Sequence, residues 1–187
     1  QEAVEMTRKA LGDAYESLLP KMTIQADNQF AQSVNSLKGM VSQGALDPKY
    51  AAAFEQVLND RVRGKMQCQN AMTGQTFKDV QSHITSEIKR FGQSQDPDAR
   101  LLGDALKELG DQMRELSVRS NPQLASQLSA INKGYAQFKV GQKAASYLGA
   151  EGGVFNANQL QGAIRAADRS KDKARFAEGR ALMQDLG

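Results

Sequence analysis

The amino-acid sequence predicts an all-α protein: a multi-helix bundle of about eight helices, with a long central helix and a C-terminal helical corner. Three observations lead there. Apolar residues recur at spacings of three and four along most of the 187-residue chain, the period of an amphipathic helix. Asp-Pro pairs at 47–48 and 96–97 and an Asn-Pro pair at 121–122 punctuate those stretches, each offering a capping side chain followed by a residue pre-set for the first helical turn. Aromatic residues make up only 6% of the chain and tryptophan is absent, a composition that favours helices over a β-sandwich.

Taken in order, residues 2–19 place Val4, Leu11, Tyr15 and Leu18 at helical spacing until Pro20 ends the pattern,. A second helix is expected from about Thr23 to Gln43, with Ile24, Phe30, Val34, Leu37 and Val41 continuing the period as far as Gly44. Asp47 caps a third helix through Tyr50, Phe54, Val57 and Leu58 toward residue 67,. "NAMTGQTF" at 70–77 is a break followed by a start, with Thr73 as the cap; Phe77, Val80, Ile84, Ile88 and Phe91 then form a clear stripe. Asp96-Pro97 opens the next helix, which carries Leu101, Leu102, Leu106, Leu109, Met113 and Leu116 on one face,. Ser120-Asn121-Pro122 repeats the cap-plus-proline device, and Leu124, Leu128, Ile131, Tyr135 and Phe138 space by 4, 3, 4 and 3. This helix, running to Leu148, is the expected spine. No period-two alternation is long enough to predict a strand.

The stretch from residue 149 onward predicts the corner. Gly149, Gly152 and Gly153 end the long helix,. Asn156 caps a new one with Gln159 in the capping-box position, and Phe155 and Leu160 stand at the spacing of a hydrophobic staple,. As a phosphate cradle the same glycines are weak, because neither a preceding strand nor a P-loop lysine accompanies them. Beyond the corner, Arg165, Arg169, Lys171, Lys173, Arg175 and Arg180 stand against Asp168, Asp172 and Glu178. A solvated basic hinge is the preferred reading; a phosphate- or DNA-contacting arm is the alternative.

Charge follows the same gradient. Lys and Arg number 5 against 8 acids in residues 1–60, 10 against 8 in 61–120, and 9 against 5 in 121–187. A net charge of +3 permits contact with nucleic acid without requiring it,. No apolar run reaches the roughly 18 residues of a membrane span, so a soluble protein is expected. Starting at Gln1 without Met and stopping after "ALMQDL", the chain is expected to be a fragment of a larger one.

The search for chemistry yields no catalytic, cofactor-binding or metal-ligating set. His83 is the one histidine and Cys68 the one cysteine, so a zinc site or a Cys–His pair lacks its partners. Basic "RVRGKMQ" ahead of Cys68 could lower its thiol pKa, but a nucleophile also needs a base, and His83 is the sole candidate. Glu151 is the one acid in a loop where a catalytic group could sit, and no aromatic sugar platform adjoins it,. No enzyme and no cofactor are expected.

The segments "MTGQTFKDVQSHI", "DPDARLLGDALKELGDQMREL", "RSNPQLASQLSAINKGYAQFKVGQKAA" and "GAEGGVFNANQLQGAIRAADRSKDKARFAEGRALMQDL" together resemble a helical region near the C-terminus of large virion proteins of tailed bacteriophages and prophages. The resemblance spans 71–187, so the chain divides into an N-terminal segment of three helices, 1–70, and a C-terminal helical domain, 71–187. Its most specific parts are "SNP", "EGGVF-x-x-x-QL" and "F-A-x-G-x-ALMQDL". In that pattern Thr-Pro follows the phenylalanine where this chain has Asn156-Ala157, and Asn caps a helix about as well as Thr. The resemblance implies an internal or ejection protein, made in the host cytoplasm, located in the virion and associated with genome delivery. Implied partners are portal or tail proteins or copies of itself as a homo-oligomer, with double-stranded DNA as a further candidate. The alternatives are a DNA-contacting module built on the basic C-terminal third and an accessory domain of a cell-wall-degrading virion enzyme.

Phe155→Ala removes the staple at the corner, with an expected loss of about 3 kcal/mol for a fully buried ring. Thermal melting of the variant checks it, and an unchanged melting temperature overturns the staple.

Overall fold

The computed structural model describes residues 2–43, 46–66, 68–146 and 157–167. Among these are seven α-helices: α1 (Glu2–Leu18), α2 (Asn28–Gln43), α3 (Pro48–Gln56), α4 (Gly74–Gly92), α5 (Pro97–Ser120), α6 (Ala125–Ala145) and α7 (Ala157–Ala167). They are joined by two three-residue strands, β1 (Thr23–Gln25) and β2 (Ala71–Thr73), and by short 3-10 and π-helical turns. None of the described helices is long and apolar enough to cross a membrane. The chain forms two compact units: one takes residues up to Glu16 together with the chain from Gln127 onward, the other is Ser17–Ser126. Within the second unit β1 and β2 pair with one another.

In the second unit α5 is the central element. Leu102, Leu106, Leu109, Met113 and Leu116 recur at spacings of 4, 3, 4 and 3 and are fully buried,. α4 turns Phe77, Val80, Ile84 and Phe91 inward and packs along α5, as do α2 and α3. Small residues let α4 come close: a Cβ added at Gly103 would lie 3.2 Å from the Gly92 nitrogen, and one at Gly110 3.5 Å from Ile84. The Gln81 side chain crosses the same seam to donate to the Gly110 carbonyl at 3.2 Å.

Two polar bridges show that α2 and α5 run antiparallel. Asp27, just ahead of α2, pairs with Arg119 in the last turn of α5. At the other end the Asp47 amide donates to Asp98 Oδ2 in the first turn of α5, at 2.9 Å. Phe30, Val34, Leu37 and Val41 of α2 are buried between those bridges.

In the first unit α6 buries Leu128, Ile131, Val140 and Ala144, and α7 buries Leu160, Ala163 and Ile164. α1 approaches α6 where Leu11 faces Gly134; a Cβ there would fall 2.7 Å from Leu11 Cδ2.

Several expectations are corrected. The stretch from Thr23 to Gln43 is not one helix: Thr23–Gln25 is a strand with only Ile24 buried, and the helix starts after Asp27, whose carboxylate accepts from the Phe30 amide at 2.7 Å. β1 pairs antiparallel with β2, Thr23 opposite Thr73 and Gln25 opposite Ala71, so short strands exist where none was predicted. Three residues are too few to leave a readable alternation.

The third helix does not run regularly toward residue 67. It is α-helical to Gln56, widens into a π-helical turn over Val57–Val62 and tightens over Arg63–Lys65; the wider turn keeps Val57, Leu58 and Val62 all buried,. Leu101 is 52% exposed rather than in the core, because one residue before Leu102 lies about 100° around the helix from the buried stripe. The longest described helix is α5, with 24 residues, while the expected spine is a tight turn at Pro122–Leu124 followed by the 21-residue α6. An eighth helix would lie beyond residue 167, outside the described residues.

Thr73 caps α4 as expected, its hydroxyl accepting from the Thr76 amide at 3.2 Å. The next residue is constrained by its neighbour: a Cβ on Gly74 would sit 2.2 Å from the Leu19 carbonyl oxygen, an atom that cannot swing aside. Gly74→Ala is expected to destabilise the second unit by about 1–3 kcal/mol through forced overpacking, read as a lower urea midpoint. An unchanged midpoint would remove that contact from the account.

Candidate functional site

Of the residues singled out from the sequence, Gly152, Gly153, Phe155, Asn156, Arg169, Lys171, Lys173, Arg175 and Arg180 lie outside the described residues, as does Glu151. Leu160 is buried and Arg165 exposed on α7. His83 is half-buried on α4. Cys68 begins a tight turn ahead of Gln69 and Asn70, both of which have positive φ; its side chain is not among those described. No group of three or more His, Cys, Asp or Glu positioned for a metal occurs among the described residues.

The polar chemistry of the second unit concentrates in two places. The first is an open depression of about 390 Å³ lined by Gln25, Ala26, Asp27, Arg119 and Ser120. It forms where α5 ends against β1. Ile24 faces β2, so the Thr23 and Gln25 backbones face away from it, and that outer edge is met by side chains instead of a strand. Asn121 Oδ1 accepts from the Thr23 amide at 3.1 Å while Asn121 Nδ2 donates to the Thr23 carbonyl at 3.0 Å. Ser120 Oγ accepts from the Gln25 amide at 3.1 Å and donates to its carbonyl at 3.2 Å. One residue further, Arg119 Nε donates to Asp27 Oδ2 at 2.8 Å and Nη2 to Oδ1 at 3.1 Å. Asn121, 1% exposed, thus makes no side-chain cap bond to the turn that follows it; it closes the end of α5 instead, its Nδ2 donating to the Ser117 carbonyl at 2.8 Å. Nothing local foretells this, since its partner lies 98 residues away.

The second place is the meeting of the α3 and α5 N-termini. Asp47 and Asp96 each cap their own helix, accepting from the Lys49 and Asp98 amides. Tyr50 donates its hydroxyl to Asp96 Oδ2 at 2.7 Å and stacks edge-on against Phe91, ring centroids 6.2 Å apart. Lys49 lies 3.3 Å from Asp47 and 4.0 Å from Asp96. The Tyr50 hydroxyl bond holds the Asp96 carboxyl below its ordinary range, and the Lys49 amide does the same for Asp47; the same bond raises the Tyr50 phenol. These groups serve one another, and the three acids act as caps and cross-braces rather than as a vacant ligand set.

In the depression, too, each polar partner is engaged within the fold. The Arg119 guanidinium holds the Asp27 carboxyl below its ordinary 3.8, with the Phe30 amide adding to the effect. The arrangement joins a strand, a helix start and a helix end; it does not gather a nucleophile, base and acid around one point. No family model, curated protein or solved structure matches the chain.

A carboxyl with a lowered folded-state pKa contributes stability that is fully present above its unfolded value and is lost as pH falls through the folded one. The melting temperature is therefore expected to drop below about pH 3.8. Asp27→Asn should melt lower than the parent at neutral pH and lose less on acidification. A parallel fall in both proteins would show that the Asp27–Arg119 pair does not contribute.

Proposed function

We propose that the chain is a non-enzymatic structural or assembly module of a bacteriophage virion protein, of the internal or ejection type, associated with delivery of the genome into the bacterial host. The observation that carries this reading is the ordered set of motifs over 71–187: "SNP" ahead of α6, "EGGVF" and "QL" before and within α7, and "FAEGRALMQDL" at the end. The helical architecture supports it, as do the polar clusters of the second unit, whose side chains close on one another and brace helices. Met6, Met40 and Leu101, exposed on α1, α2 and α5, offer apolar contacts to neighbouring virion proteins or to further copies, methionine being well suited to adaptable interfaces. The excess of 9 basic over 5 acidic residues in 121–187 makes packaged double-stranded DNA a second partner, held through its phosphates.

Mass spectrometry of full particles of the encoding phage or induced prophage, paired with emptied particles, tests the proposal. A delivered internal protein is present in the first and lost from the second. Retention in both would instead make it a fixed part of portal or tail, and absence from both would refute the virion role.

A further inference from the structure

The hydrogen bonds between β1 and the end of α5 form a ladder with a direction. Thr23 meets Asn121, Gln25 meets Ser120 and Asp27 meets Arg119, so the numbers rise on one side as they fall on the other. Along the chain, the two ends of the second unit, Ser17 and Ser126, both lie on the outer side of the Thr23–Asn121 rung, six residues before Thr23 and five after Asn121. Beyond Asp27–Arg119 the same antiparallel run continues through the buried face of α2 against α5 and ends at Asp47–Asp98.

We propose that residues 23–47 and 98–121 form one zipper that opens from the chain ends, so that the second unit, although well packed, unravels rung by rung when drawn by its own termini. Tension entering at Ser17 and Ser126 first withdraws the buried anchors outside the ladder, Leu18, Leu19, Met22 and Leu124. It then falls on the Thr23–Asn121 rung and on the matching end of the β1–β2 pairing, where the Gly74 amide donates to the Met22 carbonyl, because the later rungs are unloaded until these part. Each rung resists by itself, and their strengths do not sum. Had the chain ends left from opposite ends of the ladder, all rungs would bear the load together. The device follows from hydrogen-bond register and holds whatever the biological role; in a protein that must pass through a narrow channel it would let a folded module be drawn out as a thread.

Optical-tweezer pulling of the full chain tests it, with Cys68→Ser removing the native thiol and DNA handles attached at introduced cysteines. Ser17→Cys with Ser126→Cys loads the zipper from its open end. Ser17→Cys with Gln95→Cys draws the α5 side from its far end and loads the rungs in parallel; Ser17, Gln95 and Ser126 are all exposed. The expected result is a several-fold lower unfolding force for the 17/126 attachment, whereas equal forces or a stronger 17/126 geometry would overturn the proposal. Native-state amide exchange on the unmodified chain gives a second reading: protection rising from Thr23 through Gln25 to Phe30 supports opening from the end, and uniform protection at the three amides overturns it.

Discussion

The outer edge of β1 is the constraint on which the second unit turns. A strand of three residues has two edges, and at Thr23, where the outer one is partly buried, an amide and a carbonyl without partners cost free energy comparable to lost hydrogen bonds. β2 satisfies one edge. The other is satisfied by Ser120 and Asn121, whose side chains each present a donor and an acceptor to the backbone, so the end of a helix stands in for a third strand. This substitution fixes where α5 must stop, and with it the position of the buried leucine stripe that α2, α3 and α4 pack against.

Packing and polar bracing then divide the labour. The apolar stripes of α4 and α5 supply the bulk of the burial, and the glycines between them set how close the helices come. Burial alone tolerates sliding along a helix axis by a turn. The bridges at Asp27–Arg119 and Asp47–Asp98, one at each end of the α2–α5 pair, remove that freedom. Both are partly exposed, so their contribution lies more in register than in energy.

The long periodic helices were legible because their signal repeats: Phe77 to Phe91 and Leu102 to Leu116 mark the same face several times over, and Asp47, Thr73 and Asp96 announce their starts by local capping chemistry. What escaped reading had no repetition and no local partner. Ile24 fits the helical period that follows it, and only the Asp27 cap at Asn28 betrays the boundary. Asn121 carries every local mark of a cap yet bonds to Thr23 across the unit. The widened turn at Val57–Val62, in which Val57, Leu58 and Val62 are all buried, has no local sequence mark that separates it from a regular helix. The site was less legible than the fold for the same reason: the basic residues expected to carry contacts cluster in sequence, whereas the polar networks actually described join residues tens of positions apart.

The separation between β1 and Asn121 also shapes how the chain comes to be folded. During synthesis β1 and β2 can pair soon after residue 73 emerges, but the outer edge waits for Ser120 and Asn121, about a hundred residues behind Thr23. Closing so distant a contact is entropically costly and slow. Through that interval the nascent chain displays an unsatisfied strand edge beside an incomplete apolar core, the combination that invites pairing with neighbouring chains. The last few residues of α5 therefore act as a completion signal: until they leave the ribosome the second unit has no closed form, and any product ending before them carries a sticky edge.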